Sequence, residues 1–330
     1  MYGGKQGLKG DLMTAKQRVL NTLEFKGNGY TPLLYLNRDT EKSDIVMIGY
    51  DAPTAFIPER STVTEWGYEW ESLDDTMGQP DKRPLSDWEL WNDYEIPDPY
   101  AFGRFENAKK TVSQNKDKFL MGDLGITGFN KLTFLRGFEN TLEDIYLEPE
   151  RFAEALEAVI AFEMEIIKQF ATLGVDGIAF GDDWGTQRSL IISPETFRQY
   201  FLPQYSKQFE LVHRLGMKVY FHSCGYVYDI IPDMIAAGVD VFNLNQPDVF
   251  GVDCLGKEFS GKVTFCCPVD HQHMAITGSR EEINVYAQNL KAHLGQKNGG
   301  FIGFIEFYPS LGMDDEHYFW IGEAFEKIRQ

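Results

Sequence analysis

His222 and Cys224 stand two residues apart, at the end of the short apolar run 218–222. Residues two apart in an extended chain project to the same side, so the imidazole and the thiol are expected to face one point. Nitrogen and sulfur are the donors that Zn²⁺ prefers in proteins. We interpret the pair as part of a zinc site; the alternative is a buried histidine beside an unrelated cysteine.

Two further strand ends supply candidates for a third metal ligand. Cys266 and Cys267 close one predicted strand, and at most one of them faces the site because successive strand residues point to opposite faces. Glu306 ends another apolar run, where a carboxylate is costly unless it is paired or bound to a metal. A set of His222, Cys224 and either Cys267 or Glu306 leaves one coordination position open, as in catalytic zinc sites.

Other polar residues follow the same kind of strand end. Asp182 and Asp183 are adjacent acids that suit substrate hydrogen bonding, proton transfer or support of a ligating histidine. The alternative for this pair is a solvated turn before a helix. Candidate substrate-binding residues in equivalent positions are Asn243, Asn245, Gln246 and Asp270.

The elements that must position these residues alternate regularly in the second half of the chain. Five β-rich runs are each followed by a helical stretch, at 175–183, 218–222, 241–245, 263–267 and 301–306. Three more strand candidates precede them, at 31–36, 118–121 and 131–135. Eight such units predict one (β/α)8 barrel domain over 1–330, with its site at the carboxyl ends of the strands.

The segment 37–117, between the first and second predicted strands, is too long for an ordinary barrel loop. It holds four of the six tryptophans of the chain. Because a disordered linker is not so aromatic, we interpret the segment as a lid-like insertion over the barrel mouth. An arm at a homodimer interface is the alternative.

Composition excludes several classes of function. The 31 Lys and Arg against 50 Asp and Glu give a formal net charge of −19, which disfavours binding to nucleic acid or to an anionic membrane. The four cysteines form no spaced disulfide framework, residues 1–10 contain no apolar leader, and the sequence has no long apolar run. We therefore expect a cytoplasmic protein. Phosphate-binding glycine loops and a Gly-x-Ser-x-Gly elbow are absent, so nucleotide chemistry and serine hydrolysis have no support.

Several of these motifs resemble the uroporphyrinogen decarboxylase superfamily, most strongly over 170–330. The residues that carry the resemblance are GDDWGTQ (181–187), SPETFRQY (193–200), KVYFHSCG (218–225), IPDMIAAGVD (231–240) and CPVD (267–270). The resemblance implies a (β/α)8 barrel. Decarboxylases of the superfamily bind a polycarboxylate porphyrinogen through an arginine-rich N-terminal segment, whereas the corresponding region here, TPLLYLNR (31–38), has no such cluster. The cobamide-dependent methyltransferases of the superfamily carry a His-x-Cys zinc pair, which His222 and Cys224 match.

Resemblance to this branch implies Zn²⁺ in the protein and a cobamide carried by a partner corrinoid protein. Relatives with thiol substrates take a further cysteine from the last strand as a zinc ligand, whereas this chain offers Glu306 there. A harder ligand set suits an oxygen-bearing substrate. The expected activity is that of the first methyltransferase of anaerobic O-demethylase systems, which moves a methyl group from a small aromatic methyl ether to Co(I). The alternatives are a methylcobamide:thiol or tetrahydrofolate methyltransferase, a uroporphyrinogen decarboxylase, and a non-catalytic barrel that binds a corrinoid protein.

Overall fold

A computed structural model of the chain describes residues 13–27, 29–71 and 78–330. Its strands are β1 (Leu33–Leu36), β2 (Ile45–Ile48), β3 (Glu69–Glu71), β4 (Gln79–Lys82), β5 (Phe119–Ile126), β6 (Gly177–Gly181), β7 (Lys218–His222), β8 (Val241–Asn243), β9 (Thr264–Cys267) and β10 (Phe301–Glu306). The prediction that residues 1–10 contain no apolar leader falls on residues outside the described ones, as does part of the predicted insertion, 72–77.

Eight of these strands form one parallel sheet within the part of the chain that the structure describes. The order is β1-β10-β9-β8-β7-β6-β5-β2, and β1 lies beside β2, so the sheet curls into a nearly closed barrel. The predicted (β/α)8 barrel is thereby confirmed. Strands β3 and β4 pair separately as a short antiparallel hairpin.

The sheet is surrounded by helices, four of which begin at a residue whose side chain caps the first turn. The helices are α1 (Ala15–Leu23), α2 (Glu106–Gln114), α3 (Gly128–Arg136), α4 (Phe138–Leu147), α5 (Pro149–Leu173), α6 (Pro194–Tyr200), α7 (Leu202–Arg214), α8 (Ile231–Ala237), α9 (Val252–Phe259), α10 (Met274–Thr277), α11 (Arg280–Leu294) and α12 (Asp315–Ile328). Ser193 caps α6, since its hydroxyl oxygen accepts from the N–H of Thr196. Ser279 and Glu282 form a reciprocal capping box at the start of α11.

One of the predicted strands is wrong. Residues 131–135 lie in helix α3, and the second barrel strand is β2, inside the segment interpreted as an insertion. Helix α3 is buried on several sides, so its apolar run resembles a buried strand and periodicity alone does not separate the two. Consequently the long segment, 49–118, lies between the second and third barrel strands.

This segment packs firmly against the barrel helices. Trp66 and Trp88 are buried in the core, and the Trp66 ring meets the edge of Phe162 on α5 at 4.9 Å between centroids. Arg104 is also buried, and its Nη1 and Nη2 donate to the two carboxylate oxygens of Glu65, at 2.8 and 2.5 Å. Whether the segment acts as a lid or as an interface arm stays a prediction.

Alternation along the strands divides the apolar core into two layers. Cys266 and Tyr220 face the barrel interior, whereas Cys267 and Phe221 face the surrounding helices. Val19 of α1 joins the interior layer and helps to cover one end of the barrel. Among the described residues, no helix has the length and apolarity that a membrane span requires.

Candidate active site

Strand register places the candidate ligands at one level. Gly181 pairs with His222, His222 with Asn243, and Asn243 with Cys266, so β6, β7, β8 and β9 end side by side at the carboxyl rim of the barrel. Residues that follow these strands therefore meet over the barrel mouth.

Asp183, His222 and Cys224 meet there. One donor atom from each of the three lies within 4.8 Å of the other two. The Nε2 atom of His222 is 3.5 Å from the Cys224 Sγ and 3.6 Å from the Asp183 Oδ1. The group supplies one nitrogen, one sulfur and one oxygen donor.

Two crossing loops fix Asp183 beside Cys224. The N–H of Cys224 donates to Asp183 Oδ1 at 2.7 Å, and the N–H of Gly185 donates to the Cys224 carbonyl oxygen at 3.1 Å. Gly225 has a φ of 74°, and a Cβ on it would overlap the backbone of Gly185. Glycine is thus needed at both positions for the loops to approach so closely.

Asn243 determines which imidazole nitrogen faces the group. Its Oδ1 lies 2.6 Å from His222 Nδ1, while its own Nδ2 donates to the Cys266 carbonyl oxygen at 2.8 Å. That second bond fixes the amide so that Oδ1, an acceptor, faces Nδ1, and His222 therefore carries its proton on Nδ1. The lone pair of Nε2 is left free for a metal, as is usual for ligating histidines.

The donor set fits a zinc ion. Zinc–sulfur and zinc–nitrogen bonds of about 2.3 and 2.0 Å at a tetrahedral angle separate the two donors by about 3.5 Å, which matches the His222–Cys224 separation. Burial, followed by the neighbouring Asp183 carboxylate, raises the pKa of the Cys224 thiol. The thiol is therefore protonated without a cation, and a bound Zn²⁺ would favour the thiolate.

A cavity of about 270 Å³ opens beside these donors. Its walls are mostly apolar and include Leu34, Met47 and Phe304. Glu306 and Tyr308 line the same space. Burial raises the pKa of the Glu306 carboxyl to about 7, and burial with the nearby Glu306 charge raises the pKa of Tyr308 to about 12. The cavity thus combines a cluster of nitrogen, sulfur and oxygen donors, an apolar wall and a carboxyl group whose pKa lies near neutral pH.

The two predicted candidates for a third ligand take different places relative to this cavity. Cys267 is fully buried toward the helices, away from the cavity, whereas Asp183 lies beside the His–Cys pair. Glu306 lines the cavity but is not among the three grouped donors. The position of Cys267 follows from side-chain alternation, which turns Cys266 inward and Cys267 outward.

Asp182 points away from its neighbour Asp183. It is completely buried and accepts from the N–H groups of Phe129 and Asn130, each at 2.8 Å, and from the Tyr205 hydroxyl at 2.5 Å. The Asp182 carboxylate thus lies against the first turn of α3, outside the cavity. The predicted catalytic role for Asp182 therefore has no geometric support.

The four candidate substrate-binding residues take different places. Asn243 orients His222, and Asn245 lines the cavity with its buried Oδ1 lacking a hydrogen-bond partner among the described residues. Gln246 accepts from the N–H of Gly225 at 3.0 Å and supports the Cys224 loop. Asp270 is buried and accepts from two backbone N–H groups in its own turn.

Sequence reasoning missed Asp123, which also lines the cavity. It lies within strand β5, and burial raises the pKa of its carboxyl. An acid inside an otherwise apolar strand was the available signal, but the predicted strand ended at 121, before this residue. Tyr308, two residues beyond Glu306, was missed because it follows the strand.

Comparisons with known proteins give a family and a fold. A family model described as uroporphyrinogen decarboxylase matches residues 65–302. A methyltransferase from Methanosarcina mazei has a similar fold, with a TM-score of 0.69, 13% identity, and coverage of 97% of this chain and 100% of the other. The 3-keto-D-glucoside 4-epimerase from E. coli is less similar, with a TM-score of 0.43, 12% identity, and coverage of 68% and 84% of the two chains. No curated protein matches the chain in sequence.

Proposed function

The chain belongs to the uroporphyrinogen decarboxylase family, and we propose that within this family it is a zinc-dependent methyltransferase. It moves a methyl group from an aryl methyl ether to the Co(I) corrinoid of a partner protein. The observation that carries this proposal is the convergence of Asp183, His222 and Cys224 on a largely apolar cavity. Three donors with an open fourth position are typical of catalytic zinc.

The cavity argues against decarboxylation of a porphyrinogen. A substrate with many carboxylates needs several cationic side chains around it. Among the described residues that line the cavity there is no Lys or Arg, and three of them, Asp123, Asp183 and Glu306, are acids. A neutral ether is compatible with these walls, whereas a polyanion is not.

The chemical difficulty is the leaving group, since an aryl ether loses its methyl group only as a phenolate. A zinc ion held by the three donors would act as a Lewis acid on the ether oxygen. The chain orients the imidazole, because the hydrogen bond between Asn243 and His222 Nδ1 keeps Nε2 directed toward Cys224 and Asp183. The apolar walls, including Leu34 and Phe304, bind the arene and exclude water.

Glu306 supplies the proton that the departing oxygen needs. Since burial raises the pKa of its carboxyl to about 7, a large part of it is protonated at neutral pH. A carboxylic acid in this state donates to a developing phenolate as a general acid. The resemblance to the methyltransferase branch and the fold shared with the Methanosarcina methyltransferase support methyl transfer as the reaction.

The test is a panel of methoxyarenes with a Co(I) corrinoid acceptor, read out by absorbance as the cobalt–carbon bond forms. The wild type should contain near-stoichiometric zinc and methylate the corrinoid. His222→Ala and Cys224→Ala should each lose the zinc and lower the rate by at least about 100-fold, because a zinc site of this kind needs every ligand. Cys254→Ala is the matched control, since Cys254 contacts Tyr228 and lies outside the cavity.

Two outcomes would contradict the proposal. Full metal content and rate in Cys224→Ala would exclude the zinc site. Methyl transfer only from methylcobalamin to a thiol or to tetrahydrofolate, with no reaction from any methoxyarene, would assign the chain to the acceptor side of such a system.

A further inference from the structure

A second cavity, of about 400 Å³, borders on the long segment after β2 and has no part in the proposed metal chemistry. Lys131 of α3 is the one lysine among the described residues that line it. The aromatic residues of its wall are Tyr50, Phe56, Trp66 and Tyr68. The cavity therefore presents an amine beside a wall of aromatic rings.

The environment of Lys131 is unusual for a lysine, since only 6% of its surface is exposed. Its Nζ lies 5.0 Å from the Trp66 ring centre and 5.7 Å from that of Tyr68. These rings attract the ammonium form by cation–π interaction. Within the part of the chain that the structure describes, no oxygen accepts a hydrogen bond from this Nζ, so the charged form lacks the partner that buried charges usually have.

The acids around Lys131 make their hydrogen bonds elsewhere. Glu65 pairs with Arg104, and Glu163 accepts from two donors on other helices. Asp123, which also lines the cavity, accepts from a backbone N–H in its own turn. Burial lowers the pKa of Lys131 to about 8, and the charges of Glu163 and Glu65 oppose this shift only in part. At pH 7 about one such amine in ten is unprotonated, compared with about one in three thousand for an ordinary lysine.

We propose that Lys131 is a nucleophilic amine that forms a Schiff base with an aromatic aldehyde bound in the second cavity. Lysines that form Schiff bases are typically desolvated in this way, because only the unprotonated amine attacks a carbonyl carbon. The nitrogen bonds to that carbon, and the carbonyl oxygen leaves as water with both hydrogens of the amine, so neither an oxidant nor a reductant is needed. The aromatic walls bind the arene, and the Trp66 and Tyr68 rings stabilise the protonated imine as they do the ammonium. This reaction depends neither on zinc nor on methyl transfer.

The test is reductive trapping of the imine on the full chain. The protein is incubated with benzaldehyde and cyanoborohydride, and benzylated lysines are located by mass spectrometry of its peptides. At pH 7 Lys131 should be labelled at least about tenfold faster than Lys110, an exposed lysine of α2, because an amine with a lowered pKa is more often unprotonated. The labelling rate of Lys131 should rise with pH and level off above about pH 8.

Selectivity for the arene is measured with acetaldehyde, which has no ring for the walls to bind. Relative to Lys110, Lys131 should prefer benzaldehyde to acetaldehyde by at least about tenfold, as burial and stacking of one ring predict. Phe56→Ala removes one aromatic wall and should reduce this preference.

The outcomes separate this proposal from the zinc proposal. His222→Ala should be labelled at Lys131 as wild type is, so a failure of the zinc site leaves this result intact. Equal labelling rates of Lys131 and Lys110 at pH 7 would overturn the nucleophilic role. An equal preference of the two lysines between the aldehydes would overturn the aromatic site.

Discussion

Asn243 acts on the chemistry through a single hydrogen bond to His222. Replacement by Leu removes the acceptor at Nδ1, so the imidazole is free to change its tautomer and its orientation. We expect zinc affinity to fall by about 10–100-fold in Asn243→Leu, as is usual when the partner of a ligating histidine is lost. Chelator competition measures the affinity directly.

The matched variant is Asn243→Asp, whose carboxylate still accepts from Nδ1 and should retain most of the zinc affinity. Equal losses in the two variants would show that packing around Asn243, rather than the tautomer of His222, determines the affinity. Asn92→Leu, in an exposed part of the long segment, controls for non-specific effects of the substitution.

Single residues also show what sequence alone could predict of the site. The pair His222 and Cys224 was identified because its two-residue spacing and its position after a strand are local properties. Asp183 as the third donor was not, since its place beside Cys224 depends on the close approach of Gly185 to Gly225, which are far apart in sequence. Sequence alone also could not decide which of Cys266 and Cys267 faces the barrel interior, because the direction of each side chain depends on where β9 begins.

At the scale of elements, Asp182 connects the end of β6 to the start of α3. It accepts from two N–H groups in the first turn of the helix and from the Tyr205 hydroxyl. Asp182→Ala should therefore lower the free energy of unfolding by about 2–4 kcal/mol, through loss of the helix cap and of a buried partner for Tyr205. Chemical denaturation measures the change.

Replacement of the neighbouring Asp183 should affect metal binding rather than stability. Asp183→Asn should leave the stability almost unchanged and lower the zinc affinity, because Asp183 faces the cavity. A stable Asp182→Ala protein with intact zinc but no methyl transfer would restore the catalytic role that sequence reasoning assigned to Asp182.

The elements themselves were predictable to a similar degree. Strands in the second half were found because caps such as Ser193 and Ser279 mark the helices between them. In the first half, β2 and α3 were confused: both are short apolar runs, and burial against other elements, which sequence does not display, distinguishes them. The count of eight strands was correct although one of its members was not.

At the scale of the whole molecule, Glu163 links three helices and makes stability depend on pH. It lies fully buried on α5, with Gly128 of α3 and Gln208 of α7 as its hydrogen-bond donors. Burial raises the pKa of its carboxyl from 4.5 to about 7, and the nearby Lys131 opposes this shift. Because the folded-state pKa is the higher one, the stabilising contribution is complete below about pH 4.5 and is lost as the pH rises through about 7.

Glu163→Gln removes this titration and keeps an acceptor for Gly128. Its new amide group can also donate to the Gln208 Oε1, which is buried without a partner among the described residues, once the Gln208 amide turns over. Relative to wild type, the variant should gain about 1–3 kcal/mol in free energy of unfolding between pH 5 and pH 8, by urea denaturation at each pH. Glu157→Gln, on the exposed face of α5, should show no such change. An effect of Glu163→Gln that is the same at both pH values would mean that the carboxyl does not titrate in this range, and the pH dependence of stability would then have to come from other buried groups.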